Sequence, residues 1–554
     1  MQNFSTLDNW IRVQMTSRNT PALALVLTDR KNSVHTAQFG YADLEARVPL
    51  SAGHLFEIGS IGKTFTAVAV LQAVEKGLLD LHTPVVEYLP WFEVRSRFDP
   101  ITPHHLLTHS AGLIEGTDFS TDGRSEVWAL RESESGFAPG ERFYYSNVGY
   151  KALGLLLEAV TGQPYPQLIR SGILAPLGML DTAAQITHAV RPRLAKGYMP
   201  LYDDRPPHNS YPLVPAPWLE TNTADGSIAS TAADMAKFMR MLLNRGQGPN
   251  GSLLSRESFN LLTHPHIDQD EDWSYGYGLN VFDHEGYAHI GHAGDMPGYE
   301  AYMQLDMQNG LGSAMLMTHP HIPGISLTTL DYLRSQILNR PVPVMDPPPG
   351  ARLPADVDAS FYAGTYTLSN QDELRLLSAG EKEVTHPKSL VLVTDGDSLL
   401  LDLRGERLLL EHVGGGSCFI NHPDFDRFLL KFGTREPTPG QPVVVEAFHG
   451  SKWYTNQEYA GEWVFEYPQE WLAYPGHYRA FNPWETNFRI VLRKGQLLYV
   501  TPAGDETRLY PLGEGLFRIG ESPSPERMRF DQVHDGAALQ ANRSGCMYYR
   551  FFTT

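Results

Sequence analysis

Hydrophobic and polar positions follow two different patterns along this chain of 554 residues. Up to about residue 340, some segments repeat apolar residues at helical spacing and others alternate them in period two. Helices are expected over residues 7–16, 64–76, 150–160, 231–243 and 328–338. Strands are expected over 22–28, 33–39, 299–305 and 311–318, with Asn309-Gly310 as the turn of a hairpin between the last two. This mixture predicts an α+β region.

Downstream of residue 350 the helical spacing disappears. Short alternating apolar runs at 389–393, 398–403 and 496–500 are typical of an all-β region. The two regions are separated by the proline-rich segment 341–350, which can form neither a helix nor a central strand, because proline lacks the backbone donor. We therefore expect a first domain over residues 1–345.

The β region contains an internal repeat. The sequence Tyr362-Ala-Gly-Thr-Tyr366 recurs as Tyr474-Pro-Gly-His-Tyr478, and three further segments recur in the same order. The spacing between copies changes along the repeat, which indicates an insertion in the first copy near residues 378–388. The repeat predicts two related β domains, over 357–455 and 456–554.

The composition and net charge of the chain exclude some classes of protein and disfavour some classes of partner. Hydrophobic residues make up 42% of the chain, which excludes global disorder, and the formal net charge is −19. That charge disfavours nucleic acid and anionic membrane surfaces as partners. Two cysteines cannot build a disulfide framework, the first residues do not form a signal peptide, and no apolar run is long enough to span a bilayer. A cytoplasmic location is expected.

Ser60 and Lys63 form an S-x-x-K motif at the start of the predicted helix over 64–76. If the helix begins at Ser60, Lys63 lies one turn later on the same face. A partly desolvated lysine at that place can lose its proton and then accept one from the serine hydroxyl. By itself the motif is more typical of a serine N-cap followed by a solvated lysine than of a nucleophile and its base.

Tyr145 and Asn147 form a Y-x-N motif before the predicted helix over 150–160. A tyrosine beside a lysine can carry a proton between the serine and a leaving group. An asparagine amide can hold a substrate carbonyl and orient the lysine. A loop tyrosine with a turn asparagine is the alternative interpretation.

His292 and Gly294 belong to an H-x-G triplet that directly precedes a glycine-containing bend and the predicted hairpin. Two further H-x-G triplets, at His284 and His289, lack this context. A strand edge after His292 can present the backbone amide of Asp295 as a donor to an oxyanion.

These three motifs occur in the order used by the penicillin-recognising serine hydrolases, which residues 1–340 resemble. Further segments that resemble this family are Gly40-Tyr-Ala-Asp43, Leu106-Leu-Thr-His-Ser-Ala-Gly-Leu113, Pro176-Leu-Gly-Met179 and Gly226-Ser-Ile-Ala-Ser-Thr231. The resemblance implies a helical subdomain and an antiparallel sheet flanked by helices, with the nucleophile between them. His292 stands where β-lactamases of this superfamily carry the lysine of K-T-G, which puts recognition of β-lactam carboxylates in doubt.

The resemblance also implies roles for the residues. Ser60 would form an acyl-enzyme, with Lys63 and Tyr145 as the base, and with the amides of Ser60 and Asp295 as oxyanion donors. His292 would be a further catalytic residue that, with Asn147, orients substrate and supports the proton network. Asn147, Gly294 and Asp295 would bind substrate. No cofactor is implied.

Tyrosine in the second motif makes the chain similar to class C β-lactamases, family VIII esterases and D-stereospecific peptidases. The two β domains make its layout similar to that of the three-domain D-aminopeptidases, whose extra domains are lipocalin-like barrels. This similarity implies cleavage of amide bonds in short peptides or amino acid amides, with D stereospecificity. It also implies that a loop of one barrel reaches the mouth of the catalytic cleft.

Other functions stay open on the sequence alone. A carboxylesterase and a peptide transacylase or cyclase would use the same residues, and a non-catalytic protein could use the barrels to hold an apolar ligand. The pairs His264-Pro-His266 and His319-Pro-His321 lack a further ligand motif, so no metal is expected. The expected partner is a small molecule or short peptide, and a homodimer is compatible with the sequence.

Overall fold

The computed structural model describes residues 3–118, 120–320, 322, 324–347, 358–370, 387–438 and 441–552. The insertion predicted near residues 378–388 lies almost wholly outside them. The chain divides into two compact units. Unit 1 comprises Met1–Met199, Pro212–Asp346 and Asn482–Trp484, and unit 2 comprises Pro200–Tyr211, Pro347–Phe481 and Glu485–Thr554. The domain boundaries expected at residues 345, 357 and 456 stay predictions.

The α-helices of the described residues lie in unit 1. They are α1 (Ser5–Arg18), α2 (Gly62–Glu75), α3 (Val85–Tyr88), α4 (Pro103–Leu107), α5 (Gly123–Ala129), α6 (Asn147–Thr161), α7 (Tyr165–Ile169), α8 (Ala175–Leu177), α9 (Ala232–Leu243), α10 (Arg256–Thr263) and α11 (Ile325–Leu338). All five helices expected from the sequence are present, with ends shifted by up to three residues. Within the described ranges, no helix combines the length and apolar character needed to cross a bilayer.

The strands before residue 320 are β1 (Ala22–Asp29), β2 (Ser33–Asp43), β3 (Val48–Pro49), β4 (Phe56–Glu57), β5 (Tyr198–Pro200), β6 (Leu213–Pro215), β7 (Ala229–Ser230), β8 (Gln247–Gly248), β9 (Gly251–Ser252), β10 (Ile267–Asp268), β11 (Trp273–Tyr275), β12 (Asn280–His284), β13 (Tyr287–Met296), β14 (Tyr299–Asp306) and β15 (Leu311–Thr318). Nine of them form one antiparallel sheet in the order β10-β11-β12-β13-β14-β15-β1-β2-β3. The expected pair β1–β2 and hairpin β14–β15 are confirmed.

Both faces of this sheet are covered. On β1, Leu23, Leu25 and Leu27 point into a core shared with α1 and α11. The alternate residues Ala24 and Val26 belong to the larger core on the other face, which includes α2 and α9. Period-two alternation of apolar residues places every second side chain on the same face. The predicted antiparallel sheet flanked by helices is therefore confirmed.

Unit 2 contains two closed antiparallel barrels of eight strands each. The first comprises β16 (Gly364–Leu368), β17 (Ser389–Asp395), β18 (Ser398–Leu403), β19 (Glu406–Gly414), β20 (Ser417–Ile420), β21 (Leu430–Thr438), β22 (Gln441–His449) and β23 (Lys452–Thr455). The second comprises β24 (Gly476–Arg479), β25 (Asn487–Arg493), β26 (Gln496–Val500), β27 (Glu506–Gly513), β28 (Leu516–Ile519), β29 (Arg527–His534), β30 (Ala537–Arg543) and β31 (Cys546–Phe551). The expectation of two barrel domains is confirmed.

The tyrosines of the sequence repeat make the same hydrogen bond in both barrels. Tyr366 Oη donates to the carbonyl oxygen of Tyr362 at 2.9 Å, and Tyr478 Oη donates to that of Tyr474 at 2.7 Å. Each tyrosine ring at the strand position is fully buried in its own apolar core. The repeated pentapeptide therefore makes the same contact in both barrels.

Residues 200–211 belong to unit 2 although they occur early in the chain. Asp203 accepts hydrogen bonds from Arg479 at 2.6 Å and from Thr486 at 2.8 Å. Arg205 donates to Asp426 at 2.6 Å. Charged contacts therefore attach this segment, named the early segment below, to both barrels.

Candidate active site

Ser60 lies in a tight turn before α2. The expected helix start at Ser60 is replaced by a 3₁₀ turn over Gly59–Ile61, and the α-helix begins at Gly62. Gly59 has a left-handed φ of +49°, and a Cβ atom there would lie 2.6 Å from the backbone nitrogen of Asp295. Glycine tolerates this conformation and leaves room for the approach. The backbone before Ser60 therefore packs directly on β13 at Asp295.

Lys63 lies beneath Ser60 and is fully buried. Its Nζ atom is 2.8 Å from Ser60 Oγ, 2.7 Å from Asn147 Oδ1 and 2.9 Å from the carbonyl oxygen of Asp225. The amide and carbonyl oxygens can only accept hydrogen bonds, whereas the serine hydroxyl can also donate. A neutral lysine would thus give its two hydrogens to Asn147 and Asp225, and its lone pair would face the hydroxyl of Ser60.

Burial favours that neutral form. It lowers the pKa of Lys63 to about 8, while the negative charges of Asp225 and Asp118 act in the opposite direction. About a tenth of Lys63 is therefore deprotonated at pH 7, far more than for an ordinary lysine.

Tyr145 completes the group around Ser60. Its ring centroid lies 4.9 Å from Lys63 Nζ, and its hydroxyl makes a hydrogen bond with Ser60. Burial raises the pKa of Tyr145 well above the ordinary value of a phenol. The tyrosine is therefore protonated at neutral pH and can act as a proton donor and relay.

His109 also belongs to this site, although none of the three motifs includes it. Its ring lies 4.2 Å from that of Tyr145, and its Nδ1 accepts a hydrogen bond from the backbone nitrogen of Ser146 at 2.9 Å. Burial holds the pKa of His109 well below the ordinary range, so the ring is neutral. The sequence offered one signal for His109, because it lies in the segment over 106–113 that resembles the penicillin-recognising serine hydrolases.

His292 on β13 is also neutral. Its Nδ1 contacts the carbonyl oxygen of Ala293, so this nitrogen carries the hydrogen, and Nε2 accepts from Tyr275 Oη at 3.0 Å. Burial, and secondarily the nearby charge of Lys63, lowers the pKa of His292 to about 4. Both ring nitrogens are occupied within the protein, so neither offers a free hydrogen to a substrate carboxylate.

A cavity of about 300 Å³ joins most of the candidate residues. Its lining includes Ser60, Tyr145, His292, Gly294 and Asp295, while Lys63 and Asn147 lie beneath Ser60. Residues that the sequence did not predict complete the lining: Phe143, Gln269, Tyr275, Asn280, Ala293 and Glu300. The structure thus brings all seven predicted site residues to one place.

One cluster of candidate metal ligands occurs among the described residues, where His284, Glu285 and Asp331 bring three ligand atoms close together. Arg334 donates to Asp331 at 2.7 Å and lies 3.7 Å from Glu285, so positive charge is already supplied there. His266 uses its Nε2 to donate to the carbonyl oxygen of Leu261 at 2.8 Å.

Known proteins resemble this chain in sequence and fold. The sequence profile of the family described as Beta-lactamase matches residues 7–334. Penicillin-binding protein 4 of Amycolatopsis lactamdurans is 27% identical over 368 residues, which are 63% of this chain and 94% of that protein. Penicillin-binding protein 4* of Bacillus subtilis (strain 168) is 29% identical over 287 residues, which are 48% of this chain and 61% of that protein.

A solved structure shows the same fold. The octameric penicillin-binding protein homologue from Pyrococcus abyssi matches with a TM-score of 0.58 at 24% identity, covering 82% of this chain and 100% of that chain. The family profile spans more than half of the present chain and includes every residue of the candidate site. The chain therefore belongs to the Beta-lactamase family of penicillin-recognising serine hydrolases.

Proposed function

We propose that this protein cleaves amide bonds of short peptides or amino acid amides through an acyl-enzyme at Ser60. The observation that carries this proposal is the contact of 2.8 Å between Lys63 Nζ and Ser60 Oγ. The other two partners of Lys63 are pure acceptors, so a neutral lysine is aligned to take the serine proton.

In the first step, Ser60 Oγ attacks the substrate carbonyl carbon and its proton passes to Lys63 Nζ. The amides of Ser60 and Asp295 stabilise the oxyanion, each contributing about 2.7–4 kcal/mol by comparison with other oxyanion donors. Tyr145 gives its hydroxyl proton to the leaving nitrogen and regains one from Lys63. A water molecule then attacks the carbonyl carbon of the acyl-enzyme and gives its proton to the same base. Ser60 Oγ leaves with a proton, and the acid is released.

The charge of the cavity supports a substrate with a free amine. Among the described lining residues are the carboxylates of Asp295 and Glu300, and neither lysine nor arginine. An ammonium group is attracted to such a site, whereas a substrate carboxylate is repelled. The neutral state of His292 removes the cation that would hold the carboxylate of a β-lactam.

Stereospecificity for D-amino acids is proposed from the resemblance of the two-barrel layout to D-aminopeptidases. A barrel loop near the cleft is part of that proposal. Within unit 1, Asn482 Nδ2 donates to the carbonyl oxygen of Thr117 at 2.7 Å. Thr117 lies two residues after Glu115, whose negative charge favours the protonated form of Lys63. A cytoplasmic location and a homodimer stay predictions.

Labelling with a fluorophosphonate tests the nucleophile. We expect one adduct per chain by intact-mass spectrometry, mapped to Ser60, and none in Ser60→Ala. Turnover of a cleaved amide should fall at least about 10³-fold in that variant. An adduct on another residue overturns the assignment, and a protein that never labels favours the non-catalytic alternative.

A matched set of substrates tests the substrate class. D-alanine p-nitroanilide should be cleaved faster than its L isomer and at least about tenfold faster than its N-acetyl derivative, because acetylation removes the ammonium charge. Equal rates for free and acetylated amines would contradict recognition of the amine. Faster turnover of short-chain p-nitrophenyl esters than of every amide would favour the carboxylesterase, and amide product with an added amine would favour the transacylase.

A further inference from the structure

A second buried lysine lies close to the proposed base. Lys151 is on α6, one helical turn after Asn147, and its side chain is only 4% exposed. Its Nζ lies 2.5 Å from Asp118 Oδ1, 3.9 Å from Asp225 Oδ2 and 4.0 Å from Glu126 Oε2. One ammonium group thus faces three carboxyl groups from three different segments.

This cluster is connected to Lys63 through the main chain and through α6. Asp225 contacts Lys151 through its carboxylate and Lys63 through its carbonyl oxygen. Asn147, four residues before Lys151 on the same helix, supplies the other acceptor for Lys63. Lys151 therefore ties together the two elements that hold the Nζ atom of Lys63.

The cluster also determines the charge around Lys63. Asp225, Asp118 and Glu115 favour the protonated form of Lys63, and Lys151 opposes them. Among the described residues, the other titratable groups that face Lys63 carry no charge at neutral pH, because burial keeps His109 and His292 deprotonated and keeps Tyr145 and Tyr150 protonated. Lys151 is thus the cation that offsets the acidic groups.

We propose that Lys151 is a positioning residue that keeps Lys63 available as a neutral base by neutralising and holding Asp118 and Asp225. This inference rests on the proposed function. Burial opposes the charged form of Lys151, but the negative charges of Asp225, Asp118 and Glu126 outweigh it and raise the pKa of Lys151 above its ordinary value, so its charge persists over the working pH range. Without that charge, Lys63 would bind a proton more tightly, and a smaller fraction of it would be neutral near pH 7.

The test is the pH dependence of fluorophosphonate labelling at Ser60. In wild type the rate should rise with pH through a midpoint near the pKa of Lys63, about 8. In Lys151→Met the midpoint should move up by at least about one pH unit, so that labelling at pH 7 falls about tenfold while the plateau at high pH is retained. Lys151→Arg keeps the charge and should keep the wild-type midpoint.

Asp118→Asn supplies a test with the opposite sign. It removes a negative charge that favours the protonated form of Lys63, so its midpoint should move below that of wild type, and it carries the test if Lys151→Met fails to fold. The inference is overturned if the labelling midpoints of these variants stay at the wild-type value, or if the plateau falls without a shift of the midpoint. Lys151 would then have a structural role only. A wild-type protein that does not label at all would instead overturn the proposed function, and this inference with it.

Discussion

The Nζ atom of Lys63 has three oxygen neighbours, and only the hydroxyl of Ser60 can donate a hydrogen bond to it. Since Lys63 must be neutral to accept a proton and its pKa is lowered to about 8, activity should rise as pH increases through about 8. Below this value the rate should fall about tenfold per pH unit. Lys63→Arg should be nearly inactive at every pH, because arginine stays protonated. A pH–rate profile of kcat/KM checks this, and a flat profile from pH 6 to 9 would contradict it.

The neutral ring of His292 makes a second prediction at the residue scale. Wild type should turn over nitrocefin poorly, because both nitrogens of His292 are engaged with Ala293 and Tyr275. His292→Lys would place an ammonium group on β13 and should increase acylation by nitrocefin about tenfold or more. His292→Gln, which adds no charge, is the matched control. Equal nitrocefin rates for the lysine and glutamine variants would contradict a role of charge at this position.

Residues of the candidate site differ in how far the sequence could predict them. Ser60 and Lys63 are separated by one helical turn, so spacing alone could place their side chains together. Asp118 and Lys151 lie 33 residues apart, and Asp225 lies 162 residues from Lys63. Their pairing depends on how α5, α6 and the loop before β7 pack, which local spacing does not encode. Lys151 carried one signal, its position one turn after Asn147.

At the scale of elements, the close approach of Gly59 and β13 shapes the oxyanion region. Gly59→Ala would force a Cβ atom to within 2.6 Å of Asp295 backbone atoms at a left-handed φ, which costs at least about 1–2 kcal/mol. We expect at least a hundredfold loss of Ser60 labelling and a lower melting temperature. Gly53→Ala is the control, since no atom lies within 4 Å of its added Cβ. Wild-type labelling by Gly59→Ala would show that this approach does not position Ser60.

The sequence predicted the helices and strands with strong periodicity correctly, but it placed their first and last residues less accurately. Thr231 was expected to begin a helix, and its side chain accepts from the backbone nitrogen of Asp234 as the N-cap of α9. The start of α2 lies at Gly62, two residues before the predicted residue 64, and the 3₁₀ turn that precedes it packs on β13, more than 200 residues later. Barrel closure, which pairs β16 with β23, is likewise a long-range contact. The repeat predicted that two β domains exist, and the resemblance supplied their barrel form.

At the scale of the molecule, the early segment is attached to unit 2 by charged hydrogen bonds. Asp203→Ala removes the acceptor of Arg479 and Thr486, and a loss of about 1 kcal/mol would raise the opened population of the segment about fivefold. Chymotrypsin should then cut faster after the exposed Tyr202. Glu271→Ala, at an exposed carboxylate, is the control. Unchanged cleavage in Asp203→Ala would show that other contacts retain the segment.

The placement of the early segment also has a consequence for synthesis on the ribosome. Arg205 pairs with a residue 221 positions later, and Asp203 with one 276 positions later. At about 5–20 residues translated per second, these partners leave the ribosome on the order of tens of seconds after the segment itself. A nascent chain must therefore keep Asp203 and Arg205 in water throughout that interval, and Asp203 meets Arg479 only after the first barrel and the first strand of the second have been made.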